Sequence, residues 1–292
     1  MRGSAEACLT AALREALGDP GLELRGLRPV GGGCISETAR VETSAGRFFA
    51  KWNHAGPPDL FEREADCLRE MGRAAAGLAV PRVLAAQGPG PGCPGLIVME
   101  LLEPGPLDME ALGRGLAGMH RANARAFGFR VHTYCGTTRQ DNSPCASWAE
   151  FYARRRLLPL LELVEGRHGL AAAERGLYER LIERLPERVG PAAAPSLIHG
   201  DLWSGNVLGS TRGPALVDPA CCYADREMEL GMMTLFGGFS GRCFDAYEEA
   251  WPLPAGWRQR SGLYELYHVL NHFLLFGGHY GPQALSLARR YA

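Results

Sequence analysis

The chain has 292 residues, 46% of them hydrophobic and 22% charged, with a net charge of −1. That composition can bury a sizeable core and excludes wholesale disorder. The near-neutral balance leaves no electrostatic footprint for nucleic acid or an anionic membrane.

Taken in chain order, residues 1–17 read as an amphipathic helix. Glu6, Arg14 and Glu15 interrupt the apolar core that a secretory signal needs, so a cytoplasmic protein is expected. Residues 38–43 and 47–52 are short and rich in Val, Phe and Ala, and Ser44-Ala45-Gly46 between them predicts a hairpin. Residues 59–71 place Leu60, Phe61, Ala65, Leu68 and Met71 at helical spacing. Residues 96–101 read as a buried strand; even this most apolar stretch holds Glu100 and falls far short of the roughly 18 residues of a membrane span. Further helices are expected over 109–125, 148–164, 171–185, 227–236 and 263–275. Two short apolar segments, 196–199 and 215–218, joined by a tight Gly-containing loop, sit among those helices. The predicted fold class is α+β. A small sheet-rich N-terminal lobe would span residues 1–101, a hinge 102–107, and a larger helical lobe 108–292. A ligand is expected in the cleft between the lobes.

Nine cysteines are an odd number, and none form a Cys-x-x-Cys pair, so no zinc knuckle is expected. A disulfide framework is not expected in a chain this long without a secretion signal. The adjacent Cys221 and Cys222 read as packing residues. Of the 31 basic residues only Lys51 is a lysine. A surface cation can drift to arginine at little cost. A site that needs a compact, rotatable ammonium cannot, because guanidinium is planar and wider.

The strongest chemical signal is His199-Gly200-Asp201-Leu202-Trp203-Ser204-Gly205-Asn206, followed by Leu216-Val217-Asp218-Pro219. Asn206 and Asp218 offer the hard oxygen atoms that suit magnesium. Asp201 can accept a proton from an attacking hydroxyl while a metal holds phosphate oxygens. His268 and His272 have the spacing of a zinc pair, but Val269 stands where a metalloprotease helix carries Glu, and the zinc reading of that pair is rejected.

This loop resembles the aminoglycoside phosphotransferase and choline kinase branch of the protein-kinase-like, two-lobe fold. There an HGDxxxxN loop carries the catalytic Asp and a metal-binding Asn, and a later Asp binds metal; the matching residues are Asp201, Asn206 and Asp218. The segments HGDLWSGN, VDPACCYADREMELGMMTLFGGF and LYELYHVLNHFLLFGGHY are similar to the fructosamine kinase, or ketosamine 3-kinase, family. So are VGGGCISE, FAKWN, LFEREADCL and YCGTTRQDN, and the likeness runs over residues 29–280.

The resemblance implies transfer of phosphate from ATP, with magnesium, to the sugar 3-hydroxyl of ketosamines borne by small amines or protein lysines. The phosphorylated adduct then breaks down and frees the amine. It also implies that Lys51 holds the ATP phosphates and is paired with Glu64; Glu62 points about 200° away around the helix. Gly31, Gly32, Gly33, Cys34, Ile35 and Ser36 would cover the phosphates with backbone amides. The backbone from Glu100 to Glu103, Leu102 included, would meet adenine. Trp203 would stack on the sugar or pack in the core, Asn271 and His272 read equally as substrate-bordering or core-packing residues, and Gln140 and Asn142 read equally as substrate contacts or loop hydrogen-bonding residues. Leu274 stands where the family often has Asn. Cys34, flanked by amides, is a candidate redox thiol. The partners implied are ketosamines or glycated proteins, with no nucleic acid and no membrane, for a monomer or homodimer. The rival readings are a kinase of the same fold acting on an aminoglycoside, choline or a free sugar, a nucleotide-binding pseudokinase, and a nucleotidyl transferase.

Overall fold

Alternation along the N-terminal strands builds the first layer. In the computed structural model, which describes residues 2–31, 36–190 and 194–292, the order is α1 (Arg2–Leu17), β1 (Leu24–Pro29), β2 (Glu37–Thr43), β3 (Gly46–Asn53), α2 (Leu60–Arg73), β4 (Val83–Gln87) and β5 (Gly95–Glu100). The five strands form one antiparallel sheet in the order β1-β2-β3-β5-β4. Successive side chains face opposite ways. Ala50, Trp52, Leu96 and Val98 therefore pack against Leu9 and Leu13 of α1, while Ile97 and Met99 pack against Phe61, Ala65 and Leu68 of α2. Lys51, between Ala50 and Trp52 and paired in register with Ile97, belongs to the α2 side.

The expected hairpin and the helix after it form as read. The cysteines do not follow expectation. Cys8 of α1 is disulfide-bonded to Cys93 in the β4–β5 loop. The two are separated by 85 residues, so no local spacing announces the bond; it depends on α1 lying across the sheet. The glycine-loop residues Gly32, Gly33, Cys34 and Ile35 lie outside the described residues, and with them the redox expectation for Cys34.

The second layer is mainly helical. It comprises α3 (Met109–His120), the ribbon β6 (Thr133–Cys135) and β7 (Thr138–Gln140), α4 (Trp148–Tyr152), α5 (Leu158–His168), α6 (Ala172–Glu183) and α7 (Leu185–Arg188). It continues with β8 (Ser196–Ile198), β9 (Val207–Ser210), β10 (Gly213–Leu216), β11 (Cys222–Ala224), α8 (Arg226–Leu235), α9 (Gly241–Ala250), α10 (Trp257–Phe276) and α11 (Tyr280–Tyr291). Its larger core gathers Phe151, Tyr152, Leu161, Met228, Tyr264, Leu270 and Ala284 around α10.

Two sequence expectations change here. The helix after residue 109 stops at His120, because the Ala124 amide donates to the Pro195 carbonyl (3.1 Å) and the Leu197 amide to the Ala122 carbonyl (2.9 Å). The chain leaves the helix to pair beside β8. The helix expected over 148–164 is split by a π-turn at Ala153–Leu157. Pro159 has no amide to bond the Arg155 carbonyl, and Arg156 donates its guanidinium there instead (2.9 Å). The two apolar segments at 196–199 and 215–218 fall in separate two-stranded pairs: β8 pairs with β11, and β10 with β9. Among the described residues no helix is long and apolar enough to cross a membrane.

Candidate active site

The cleft between the sheet layer and the helical layer has a volume of about 880 Å³. Its walls include Lys51 and Glu64 from the sheet side and Asp201, Asn206 and Asp218 from the loops around β8, β9 and β10. Residues from distant parts of the sequence therefore share one crevice.

Lys51 sits on β3 with only 6% of its surface exposed. Its ammonium donates to Glu64 Oε1 at 2.7 Å and also to Asp218 Oδ1. Burial alone would press its pKa down, but the Glu64 and Asp218 carboxylates outweigh that and hold it above the ordinary lysine value. Burial in turn lifts the Glu64 carboxyl, with the Lys51 ammonium pulling against it. Glu64 reaches Lys51 because α2 carries it on the same side as Phe61 and Leu68.

The loop from His199 to Asn206 is fastened from within. The His199 ring accepts from the Asp201 amide through Nδ1 (3.2 Å), so its Nε2 donates to the Val217 carbonyl (2.8 Å). One buried, neutral imidazole thus joins the Asp201 loop to the residue before Asp218; burial keeps its pKa below the ordinary histidine value. Gly200 adopts φ +84° and packs against the Ala220 carbonyl, where no Cβ fits. Asn206 donates Nδ2 to the Asp201 carbonyl (2.8 Å), which leaves its Oδ1 uncommitted by that bond. Asp218 has φ +58°, a left-handed conformation that is uncommon outside glycine and tolerated by Asp. Burial, reinforced by the Glu229 and Asp218 carboxylates, pushes the Asp201 pKa up to about 7.

The sequence model of the fructosamine kinase family matches residues 8–291. The chain belongs to the fructosamine kinase family. A rice chloroplastic protein-ribulosamine 3-kinase is 40% identical over 276 residues, covering 92% of this chain and 79% of that one. A probable ketoamine kinase of Enterococcus faecium is 37% identical, covering 90% of this chain and 94% of its own. Among solved structures, the fructosamine-3-kinase candidate of Thermobifida fusca has a TM-score of 0.85 at 34% identity, covering 97% of this chain and 98% of that one. The aminoglycoside phosphotransferase APH(4)-Ia, in a ternary complex with ADP and hygromycin B, has a TM-score of 0.62 at 15% identity, covering 97% and 99%, and shares the fold. The chain is thus a phosphotransferase with the kinase-like, α+β two-lobe fold.

In this fructosamine kinase family member, most of the sequence-selected residues line one cleft. Gly31, Ser36, Lys51, Glu64, Glu100, Leu102, Asp201, Trp203, Asn206, Asp218, Asn271 and His272 all border it. Gln140 does not. It is 3% exposed, accepts from Thr133 Oγ1 (2.8 Å) and donates to the Tyr267 hydroxyl (2.9 Å). Of its two readings, the structure supports loop hydrogen bonding and not substrate contact. Asn142 is similarly committed, to the Val131 carbonyl, Thr133 and Arg156.

Sequence reasoning missed several residues. Glu229, on α8 and 1% exposed, accepts from the backbone amides of His199 and Gly200 and so fixes the start of the Asp201 loop. Two acidic residues in one motif segment gave no sign of which one faced the loop. Phe236, Phe276 and Tyr280 surround His272, with ring centroids 4.9, 5.6 and 5.1 Å from it, and line the cleft mouth. Phe236 and Phe276 are 42% and 61% exposed. Cys135, at the end of β6, and His268 of α10 lie against Asp201. No spacing in the sequence links those three positions.

Proposed function

We propose that this member of the family is an ATP- and magnesium-dependent kinase that phosphorylates the 3-hydroxyl of ketosamines and thereby promotes release of the amine. The observation that carries the reading is the double engagement of the Lys51 ammonium by Glu64 and Asp218, in the same cleft as Asp201 and Asn206. That arrangement is suited to hold a polyphosphate beside a base.

The oxygen atoms at hand fit magnesium. Asn206 spends its amide nitrogen on the Asp201 carbonyl and keeps its oxygen for other use, and the Asp218 side chain is 44% exposed to the cleft. Magnesium bound by Asn206 and Asp218 would neutralise phosphate charge. Lys51, aligned by Glu64, would grip the α- and β-phosphates. Gly31 to Ser36 would cover them, and the backbone from Glu100 to Glu103 would seat the adenine. Asp201 would orient the sugar hydroxyl and take its proton, a role favoured by a pKa near the working pH. Trp203 and the ring cluster about His272 would hold the sugar and its attached chain. On this reading the nucleotide lobe spans residues 1–101, the hinge 102–107 and the catalytic lobe 108–292.

The test is turnover of ribulosamines, erythrulosamines and fructosamines with magnesium and ATP, run against kanamycin, choline and free sugars. NMR of the product should place one new phosphate on the 3-oxygen. Preferential turnover of kanamycin or choline would replace this reading with the aminoglycoside or choline kinase one. A product carrying AMP would make the protein a nucleotidyl transferase.

A further inference from the structure

Three side chains from three elements meet on the floor of the cleft: Cys135 at the end of β6, Asp201 in the loop after β8, and His268 in α10. The thiol sulfur, a carboxylate oxygen and a ring nitrogen all lie within 4.8 Å of one another. Cys135 is 3% exposed and His268 1% exposed, whereas Asp201 is partly exposed. Cys135 and Asp201 both border the open cleft, so a small ion has a route in.

His268 supplies an independent observation. Its Nδ1 is buried with no hydrogen-bond partner among the described residues, and so is Oδ1 of Asn271 three residues along the same helix. A buried polar atom left unpaired costs about 1–3 kcal/mol. The fold accepts that cost twice, at His268 beside Asp201 and at Asn271 beside Cys135. Burial keeps the His268 imidazole neutral, the form that offers a lone pair to a metal. Asn271 Nδ2 donates to Cys135 Sγ at 3.3 Å, the kind of outer contact that steadies a thiolate ligand.

We infer that Cys135, Asp201 and His268 form an inhibitory site for a thiophilic divalent cation of the zinc type, separate from the magnesium positions proposed at Asn206 and Asp218. One sulfur, one nitrogen and one oxygen donor do not suit magnesium, which takes oxygen. They do suit zinc with three protein ligands and water in the fourth position. A tetrahedral centre with bonds of about 2.0–2.3 Å sets its donors about 3.3–3.8 Å apart, so the trio need close by no more than about 1.5 Å. On binding, the Cys135 thiol releases its proton to solvent, Asp201 enters as the carboxylate and His268 gives its lone pair. Two negative charges then balance the divalent ion, and no electron changes hands. The captured carboxylate can no longer accept the acceptor's proton. Inhibition would therefore fall on the proton-transfer step and not on nucleotide binding. The inhibitory consequence rests on the reading of Asp201 as the base; the binding does not.

The test uses the full chain and cobalt(II) as the spectroscopic probe. One equivalent should produce a thiolate-to-cobalt charge-transfer band and the visible bands of a tetrahedral centre, and zinc should displace both. Cys135→Ser should abolish the charge-transfer band, and His268→Gln should weaken binding at least about tenfold, with circular dichroism checking that each variant is folded. If Cys135→Ser does not fold, the loss of cobalt affinity in His268→Gln decides. In kinase assays at saturating acceptor, zinc should lower kcat in the native chain while the KM for ATP stays unchanged. No thiolate band, or a band that survives Cys135→Ser, overturns the site. A band accompanied by zinc-insensitive turnover overturns the inhibition. A failure of ketosamine turnover would sink the functional reading and leave the cobalt result standing.

Discussion

Tyr223 of β11 donates its hydroxyl to Glu70 of α2 at 2.8 Å, binding the helix that carries Glu64 to the layer that carries Asp218. Arg130 on Asp66 (3.0 Å) and Tyr134 on Asp59 (2.7 Å) add two more ties along the same helix. The Lys51–Glu64 pair is therefore positioned by contacts that already span the cleft. Tyr223→Phe removes a part-buried hydrogen bond to a charged acceptor, and a stability loss of about 1.5–3 kcal/mol is expected. Urea denaturation measures it, and the KM for ATP should rise with it. An unchanged midpoint together with an unchanged KM would show that the tie carries no weight.

Lys51→Arg should cut turnover by about a hundredfold or more, because a planar guanidinium cannot occupy the narrow position between Glu64 and Asp218. Lys51→Met should in addition lower stability by about 1–3 kcal/mol, less than a fully buried pair would lose because Asp218 is 44% exposed. Steady-state kinetics and denaturant unfolding separate the two effects. An arginine variant of near-native activity would contradict the explanation for the lone lysine.

The Asp201 carboxyl has a folded-state pKa of about 7 against an ordinary value of 3.8. The rate should therefore fall as pH drops through about 7, since a protonated Asp201 cannot act as base. Stability moves the other way. The raised folded pKa means the folded state binds the proton more tightly, so this contribution is complete below about 3.8 and is lost as pH rises through 7. Asp201→Asn should be at least about a hundredfold slower and, at pH 8, more stable by on the order of 2 kcal/mol. Thermal melts of both proteins at pH 5 and pH 8 give the comparison. A variant no more stable at pH 8 than the native chain would mean the carboxylate is not held at a cost.

The Cys8–Cys93 bond closes a long loop between α1 and the sheet. Reduction, or Cys8→Ser, should lower stability by about 2–4 kcal/mol without changing the KM of either substrate, because neither cysteine borders the cleft. Melting curves with and without reductant would show it. Identical curves would mean that α1 packing alone holds the edge.

The indole of Trp203 lies over Gly205, in the space that a Cβ on residue 205 would occupy. Gly205→Ala should displace the ring and raise the acceptor KM several-fold while sparing the KM for ATP. An equal rise in both would point to a general distortion of the loop and not to a sugar-stacking role.

The residues that meet the nucleotide on the proposed reading were legible as a string. The spacing from Asp201 to Asn206 is short and local, Asp218 ends the apolar segment 215–218, and Lys51 stands alone against an arginine background. Alternation along β3 and helical spacing along α2 then place Lys51 and Glu64 toward each other, because both periodicities are properties of the backbone. Other features depended on tertiary packing. Glu229 could be told from Glu227 only when α8 settled with residue 229 against the His199 and Gly200 amides, while Glu227 turned to Arg260. Cys8 met Cys93, and Cys135 met Asp201 and His268, across separations that no local pattern encodes. Gln140 turned into the core for the same reason: in the β6–β7 ribbon one face is buried, and its partners Thr133 and Tyr267 lie there. Chain-local periodicity and chemistry chose the reacting groups; the packing of distant elements chose which carboxylates, thiols and rings surround them.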